Sequence, residues 1–502
     1  MVLTDMSAAN KKQKINIGEI LAGIFRKLRK ENFITEAKTG RVLTYEDFFN
    51  QSLLFREKLI GLDLKTNDKL VLAVNNSIEL VMLYFASLLA DICVVPVDPL
   101  KGSEEINEIL KQIGYKCLIT DTPHKFPKCN TVILGDFVSI PIADTLAEQD
   151  LALFNKLDYE KIFLITFTSG STGTPKGVMH SSGNLVKSAL SFKDRLGFDE
   201  NNIFYHNLPM TYMAGILNLI FLPFISGSKI VIGERFSISN IQNFWTYPIK
   251  YSANTFWFIP TIISLLLKLD RGDQGVNYTT ANRIIGCVGT APLDWRLKKD
   301  FEKKYQTSLY ESYGLSETLF VSTEQPGIEE KERSAGQVLT GINLEFAPDG
   351  EILIGADWMF LGYANEDTNE SFENNKFRSG DLGLIDKDGF LYITGRKKEL
   401  IIRGGINISP KKIEDLVNNF NFFEEIVVLG FKEEVLGEKV VCFFVPKEKN
   451  CENFEKIVNQ SIIEKLGSSH RIDEFFLLAE IPRNTNGKID KLKLKDVYNL
   501  KK

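Results

Sequence analysis

Residues 166–178 read TFTSGSTGTPKGV, a run of hydroxyls and glycines that ends on one lysine. Thr168, Ser169, Ser171 and Thr172 supply hydroxyls, Gly170 and Gly173 let backbone N–H groups approach closely, and Lys176 adds a point charge. That chemistry suits a triphosphate cradle. It is not the ordinary ATPase loop, which closes on a Gly-Lys-Ser/Thr triplet, because Pro175 precedes Lys176 and Gly177 follows it. A second segment, YESYGLSET at 310–318, puts an aromatic ring, a hydroxyl and a carboxylate close together. Tyr313 can stack on a base, Ser316 can donate to a phosphate and Glu317 can hold Mg²⁺ through hard oxygens. Taken alone, the nonapeptide serves equally well as a polar turn after a strand. In FRSGDLGLIDKDGFLYITGR, Asp381 follows a Ser-Gly turn and can accept two ribose hydroxyls, with the Arg396 fork as reinforcement. In PRNTNGKID at 482–490, Lys488 projects from a glycine-containing turn, where a solvated lysine is the default.

These groups need elements to position them. Ile162 to Thr168 is apolar and β-branched, and Gly183 to Phe192 suits a helix, which places the first loop at a strand-to-helix turn. From about residue 40 to 360, helical stretches such as Ile78 to Ala90 alternate with short apolar strands at Lys69–Val74, Cys93–Val97, Cys117–Thr120 and Lys229–Gly233. Alternation of this kind predicts parallel sheets covered by helices. Between Gly350 and Gly395 short strands broken by Gly, Asp and Asn predict a small antiparallel sheet or barrel. After Arg396 come strand-like ELIIRG, a helix from Pro410, strands near Glu425–Gly430 and Lys439–Val445, a helix near Asn453–Lys465 and a strand at Glu474–Ala479. About a hundred residues suffice for an independent α+β unit. The expected fold class is therefore α/β. A large N-terminal lobe, 1–396, holds two parallel-type α/β subdomains and a small antiparallel β subdomain. It is hinged at or beside Lys398 to a small α+β C-terminal domain, 397–502.

Composition removes several classes. At 44% hydrophobic and 25% charged residues the chain is an ordinary globular protein, too long at 502 residues for one core. A formal net charge of −5 argues against a general nucleic-acid or membrane-surface binder. The six cysteines form no CxxC pair and fit reduced thiols better than disulfides or zinc. The opening MVLTDMSAANKKQK lacks the apolar run of a secretion signal. Leu80 to Val97 is broken by Asp91 and contains Pro96, so it is expected as a buried helix and strand, not a membrane span. A cytoplasmic enzyme is the expectation.

Together these segments resemble the adenylate-forming superfamily, which includes acyl- and aryl-CoA synthetases, luciferases and the adenylation domains of peptide synthetases. The resemblance runs from TGRVLTY at 39–45 to Lys488, through TSGSTGTPKG, GTAPL at 289–293, YGLSE, the GD and GR pair, and NGK, in family order. It implies that Thr168, Ser169, Gly170, Ser171, Thr172, Gly173 and Lys176 contact the phosphates of ATP. It implies further that Gly289, Thr290, Ala291 and Pro292 line the adenine and acyl pockets. Tyr313, flanked by Ser312 and Gly314, would lie against the base, with Glu311 near its amino group. Ser316 and Glu317 would serve the α-phosphate and Mg²⁺, while Asp381 and Arg396 hold the ribose. Lys488 would reach the carboxylate and α-phosphate during adenylation, and Thr168, Lys176, Glu317 and Lys488 would be the catalytic set. Lys398 falls on the family's hinge, and Gly404 and Gly405 of RGGINISP resemble the segment that leaves room for pantetheine.

The implied reaction makes acyl-AMP and pyrophosphate, then passes the acyl group to a thiol. Amino-acid-activating relatives usually carry an aspartate after the phosphate loop; YHNLPMTYMAGILN has no acidic residue, which disfavours an amino acid. Tyr212 stands where many acyl- and aryl-CoA synthetases have histidine. The expected acyl wall, Tyr212, Met213, Cys287, Val288, Gly289 and Leu315, is apolar with a hydroxyl, as suits an aryl or short to medium acyl acid. Tyr212 and Met213 could equally be plain core. The thiol acceptor is CoA or, alternatively, the phosphopantetheine of a separate acyl or peptidyl carrier protein. A non-catalytic nucleotide-binding relative and a phosphoryl-transfer enzyme are the rivals of other classes.

Overall fold

The computed structural model describes residues 15–122, 126, 130–135, 148–168, 175–447, 453–483 and 489–500. Two large sheets and one small one precede Arg396. The first has nine strands, in the order Gln337–Val338, Leu319–Thr323, Ser308–Leu315, Ile285–Val288, Thr255–Phe258, Ile203–His206, Lys229–Ile232, Asn32–Glu36 and Val42–Thr44. Its six central strands run parallel and antiparallel pairs finish both ends. The second has seven strands, ordered Gly362–Tyr363, Lys176–Ser181, Ile162–Thr168, Cys93–Pro96, Lys69–Ala73, Cys117–Thr120 and Thr131–Ile133. Its strands from Ile162–Thr168 onward are parallel.

The two sheets share a core. Helix Ile78–Leu89 is apolar on every face and is buried along its whole length, the arrangement expected of a helix held between two layers. Ser77 caps it by accepting the Leu80 N–H. Phe85 stacks on Phe221 at 5.8 Å and meets Phe48 and Phe224 edge-on at 5.0 and 4.8 Å, so one ring ties the helix to three other elements. Burial of each such ring contributes about 1.5–3 kcal/mol. Among the described residues, no helix is long and apolar enough to cross a membrane.

The small sheet is antiparallel, as expected: Ile342–Phe346, Glu351–Ala356 and Lys376–Ile385 in series, with Leu391–Arg396 also paired on Lys376–Ile385. After the 3₁₀ turn Lys397–Glu399 comes a five-stranded sheet centred on Phe423–Glu433 and Gly437–Pro446. Alternate residues of these strands face opposite cores. Val428, Val440, Cys442 and Phe444 pack under helices Pro410–Val417 and Phe454–Leu466, while Val427, Leu429, Val441 and Phe443 pack under Lys491–Leu500. Each apolar cluster among the described residues lies wholly before Arg396 or wholly after Lys398.

One expectation fails. The phosphate-type loop does not sit at a strand-to-helix turn: it joins Ile162–Thr168 to an antiparallel strand, Lys176–Ser181, with Thr168 opposite Lys176. Helix Ser182–Leu196 starts only after that second strand, capped by Ser181. The strand KGVMHS is short, and it is fixed by pairing on both sides, with Ile162–Thr168 and with Gly362–Tyr363, which local propensity does not reveal.

Candidate functional site

The elements converge at the loop ends of the two large sheets. Strand Ser308–Leu315 carries Glu311, Ser312, Tyr313, Gly314 and Leu315. Gly314 is required there, because a Cβ would stand 2.0 Å from the Leu319 carbonyl oxygen. Ser312 Oγ donates to the Val288 carbonyl at 2.9 Å and so fastens this strand to the start of the Gly289–Pro292 segment. Within that segment Thr290 is held at φ 73°, a left-handed conformation that a β-branched residue adopts only under strain.

Tyr313 and Asp381, 68 residues apart, meet where the first sheet touches the small one. Tyr313 Oη donates to Asp381 Oδ2 at 2.8 Å, and Arg396 Nε lies 2.7 Å from Asp381 Oδ1. Asp381 and Arg396 are direct partners in the strand register. Asp381 is only 2% exposed, and burial raises its carboxyl above the ordinary value, against the charge of Arg396 and the hydrogen bond from Tyr313. Burial, with Asp381 beside it, raises the Tyr313 phenol as well, so it stays a donor. Such a carboxylate, backed by a guanidinium, can take the hydroxyls of a sugar.

Ser316 and Glu317 form the turn after that strand. His180 Nε2 donates to the Ser316 carbonyl at 2.6 Å; burial pushes the His180 imidazole down to about 4, so it is neutral. Glu317 accepts a hydrogen bond from Tyr363 Oη at Oε1, 2.9 Å. Burial raises its carboxyl, while the Tyr363 bond, Arg396 and Lys176 oppose that rise. The Lys176 ammonium lies 2.5 Å from Glu366 Oε2 and 5.1 Å above the Tyr363 ring. Glu311 faces a second carboxylate: burial and Glu324 push it up to about 7, against Lys298 and Lys411.

The structure brings Tyr313, Asp381 and Arg396 together, and Glu317 with Lys176 through Tyr363. Thr168 is half-buried at the end of its strand. Ser169, Gly170, Ser171, Thr172 and Gly173 lie outside the described residues, as does Lys488. Thr290 and Pro292 are exposed, Ala291 is half-buried, and Gly289 is buried with room for a Cβ no nearer than 3.0 Å to Ser312 Oγ. Cys287 and Val288 are fully buried core residues on strand Ile285–Val288, and Met213 packs against the same core. Tyr212 and Met213 lead into a π-helix, Ala214–Phe221, a local geometry frequent at functional sites, and Lys101 Nζ sits 6.0 Å from the Tyr212 ring centroid. Lys398 occupies the 3₁₀ turn after Arg396. Gly404 and Gly405, at φ 56° and 79°, form the exposed tip of the hairpin between Ile401–Arg403 and Ile406–Ile408. Sequence reasoning missed Tyr363, Glu366 and His180, each of which carries no spacing signal of its own.

A family model described as AMP-binding enzyme matches residues 26–364, and one described as AMP-binding enzyme C-terminal domain matches 412–488. The sulfoacetate–CoA ligase of Cupriavidus necator is 29% identical over 349 residues, a match spanning 66% of this chain and 66% of that protein. The 2-succinylbenzoate–CoA ligase of Bacillus subtilis is 27% identical over 470 residues, 91% of this chain and 93% of its own length. Among solved structures, ATP-bound MatB from Rhodopseudomonas palustris superposes with a TM-score of 0.83 at 22% identity, covering 96% of this chain and 99% of that one.

Proposed function

The chain belongs to the AMP-binding enzyme family, and we propose that, as an AMP-forming acid–thiol ligase, it joins a non-amino carboxylic acid to the thiol of CoA. The acid is aryl or short to medium acyl. The observation that carries the reading is the contact of Tyr313 and Asp381 at 2.8 Å, with Arg396 on the other carboxylate oxygen. It joins a base-stacking ring and a ribose acceptor in one place, next to the only carboxylate of the YGLSE turn. The CoA-ligase names of the sulfoacetate and 2-succinylbenzoate relatives support the acceptor.

Each group has a place in the chemistry. The acid's carboxylate oxygen attacks the α-phosphorus of ATP, the bond to the β-phosphate oxygen breaks, and pyrophosphate leaves. The thiol sulfur then attacks the activated carbonyl and AMP departs. Both partners of the first step are anions, so the site must neutralise and align them. Thr168, Ser169, Gly170, Ser171, Thr172, Gly173 and Lys176 are suited to the phosphates, Gly289–Pro292, Glu311 and Tyr313 to the base, and Asp381 with Arg396 to the ribose. Lys488 supplies charge at the reacting carboxylate. Glu317 fits a Mg²⁺ ligand: it is a hard oxygen donor whose charged form the Tyr363 bond favours against burial, and one or two carboxylates suffice when phosphates complete the shell. Such an ion neutralises phosphate charge.

Residues 1–396 act as the adenylation lobe and 397–502 as a lobe that turns about Lys398. Screening carboxylic acids with ATP and CoA tests the reading. Release of AMP and pyrophosphate with an acyl-CoA product is expected. Release of ADP or phosphate, or silence across a broad acid panel in pyrophosphate exchange, overturns it.

A further inference from the structure

Helix Pro410–Val417, in the small lobe, has no cation in its last turn. Glu414 and Asp415 stand there, the wrong sign for the negative end of a helix dipole. Lys411 pairs with Asp415 within the helix at 3.2 Å, and the carbonyl end itself is met by cations of the other lobe. Arg296 Nη1, in the first turn of helix Trp295–Tyr305, donates to the main-chain carbonyls of Asn418 and Phe420, the latter at 3.1 Å. Arg333 Nη2 donates to the Asp415 carbonyl at 3.0 Å and to Asn419 Oδ1 at 3.1 Å. Between the two, Asn418 Nδ2 donates to Asp294 Oδ2 at 3.0 Å, and Asp294 Oδ1 in turn accepts the Arg296 and Leu297 N–H groups that open the large-lobe helix. Arg333 holds φ 62°, a left-handed conformation that a non-glycine residue keeps only where the surroundings demand it.

We infer that Arg296 and Arg333 are positioning residues: a two-arginine clasp on the carbonyl end of helix Pro410–Val417 that holds the small lobe in its adenylating orientation and must open before the thiol step. The inference rests on the acid–thiol ligase reading above. Two observations assign the orientation. Gly404 and Gly405, the segment expected beside the thiol, point to solvent at a hairpin tip whose Gly404 N–H is bonded to Leu436 of its own lobe. Lys491 Nζ meanwhile pairs with Glu399 Oε2 at 2.6 Å, which brings the chain just after residues 484–488 against the hinge beside Arg396. Rotation about the hinge separates helix Pro410–Val417 from both arginines, so the clasp biases one half-reaction against the other.

The test compares the full-length protein with Arg296→Ala/Arg333→Ala and with Arg296→Lys/Arg333→Lys. For the alanine pair, ATP–pyrophosphate exchange is expected to fall about tenfold or more, as for lost hydrogen bonds to charged donors, while transfer from supplied acyl-AMP to CoA holds or rises. Small-angle scattering of the substrate-free alanine variant should depart from the wild-type curve. The lysine pair should recover part of the exchange, since an ammonium still meets the carbonyl end but cannot fork to two acceptors. An unaltered thermal midpoint shows that the variants fold. Equal loss in both half-reactions, or unchanged exchange and scattering, overturns the clasp. Wild-type protein that exchanges no pyrophosphate with any acid defeats the ligase reading instead, and the scattering comparison still reports on the clasp.

Discussion

Tyr363 holds Glu317, phenol to carboxylate at 2.9 Å across 46 residues of chain, and the same ring lies 5.1 Å beneath the Lys176 ammonium. One side chain thereby links the carboxylate of the YGLSE turn to the lysine of the TSGSTGTPKG segment. Neither group is free to drift: the acid accepts a hydrogen bond that opposes the upward pull of burial on its carboxyl, and the lysine is held by a ring face and by Glu366.

Tyr363→Phe should move the acid limb of pyrophosphate exchange to higher pH. Burial raises the Glu317 carboxyl and the Tyr363 hydrogen bond opposes it, so removing the donor raises the carboxyl further. Less of it is ionised on the acid side. A pH–rate profile of exchange checks this, and a limb that stays in place or moves to lower pH contradicts it.

Glu311→Gln should change how stability depends on pH. In the folded chain this carboxyl titrates at about 7, against 4.5 as its ordinary value, because of burial and Glu324. A raised carboxyl binds its proton more tightly when folded, so its contribution is fully present below the unfolded value and disappears as pH climbs to about 7. Thermal unfolding from acid to neutral pH should show wild type losing stability across that window relative to the glutamine variant. A constant difference between the two midpoints would rule out titration at this position.

Lys298→Met should destabilise the large lobe by about 3–5 kcal/mol. The lysine is 1% exposed and lies 2.6 Å from Glu324 Oε2 and 3.0 Å from Glu330 Oε2. Glu324 also accepts the Glu311 N–H at 2.7 Å, so it cannot turn away when its cation is lost, and its Oε1 is buried without a hydrogen-bond partner among the described residues. Urea unfolding measures the loss. Adding Glu324→Gln should recover part of it by removing the stranded charge; a double variant no better than the single one points to packing instead.

The strands were legible where apolar runs meet turn residues. Ile162–Thr168 and Cys117–Thr120 fall where the sequence places them, and the buried helix was expected at Ile78–Ala90 and found at Ile78–Leu89. Strand Lys176–Ser181 was not, because its neighbour Gly362–Tyr363 comes from far along the chain. Within the site, Asp381 and Arg396 could be read as a pair because a hairpin register sets them opposite each other. Tyr363 and Glu366 could not, since nothing in GYANE announces a hydrogen bond to a turn 46 residues earlier. The arginine clasp has no spacing at all: it depends on a helix end without its own cation, visible only once the lobes are packed.

Lys488→Ala should suppress adenylation about 10²–10³-fold, the scale of a lost charge-stabilising donor, while transfer to CoA from supplied acyl-AMP falls far less. Lys488 lies outside the described residues, but both flanks are anchored. Arg483 bridges to Ile489, and Lys491 pairs with Glu399 in the 3₁₀ turn after Arg396. The first half-reaction needs a cation where two anions meet; the second joins a thiol to an already activated carbonyl and does not. Exchange of labelled pyrophosphate into ATP, measured beside single-turnover transfer from acyl-AMP, separates the two steps. Comparable loss in both removes Lys488 from the adenylating centre and makes it a structural part of its own lobe.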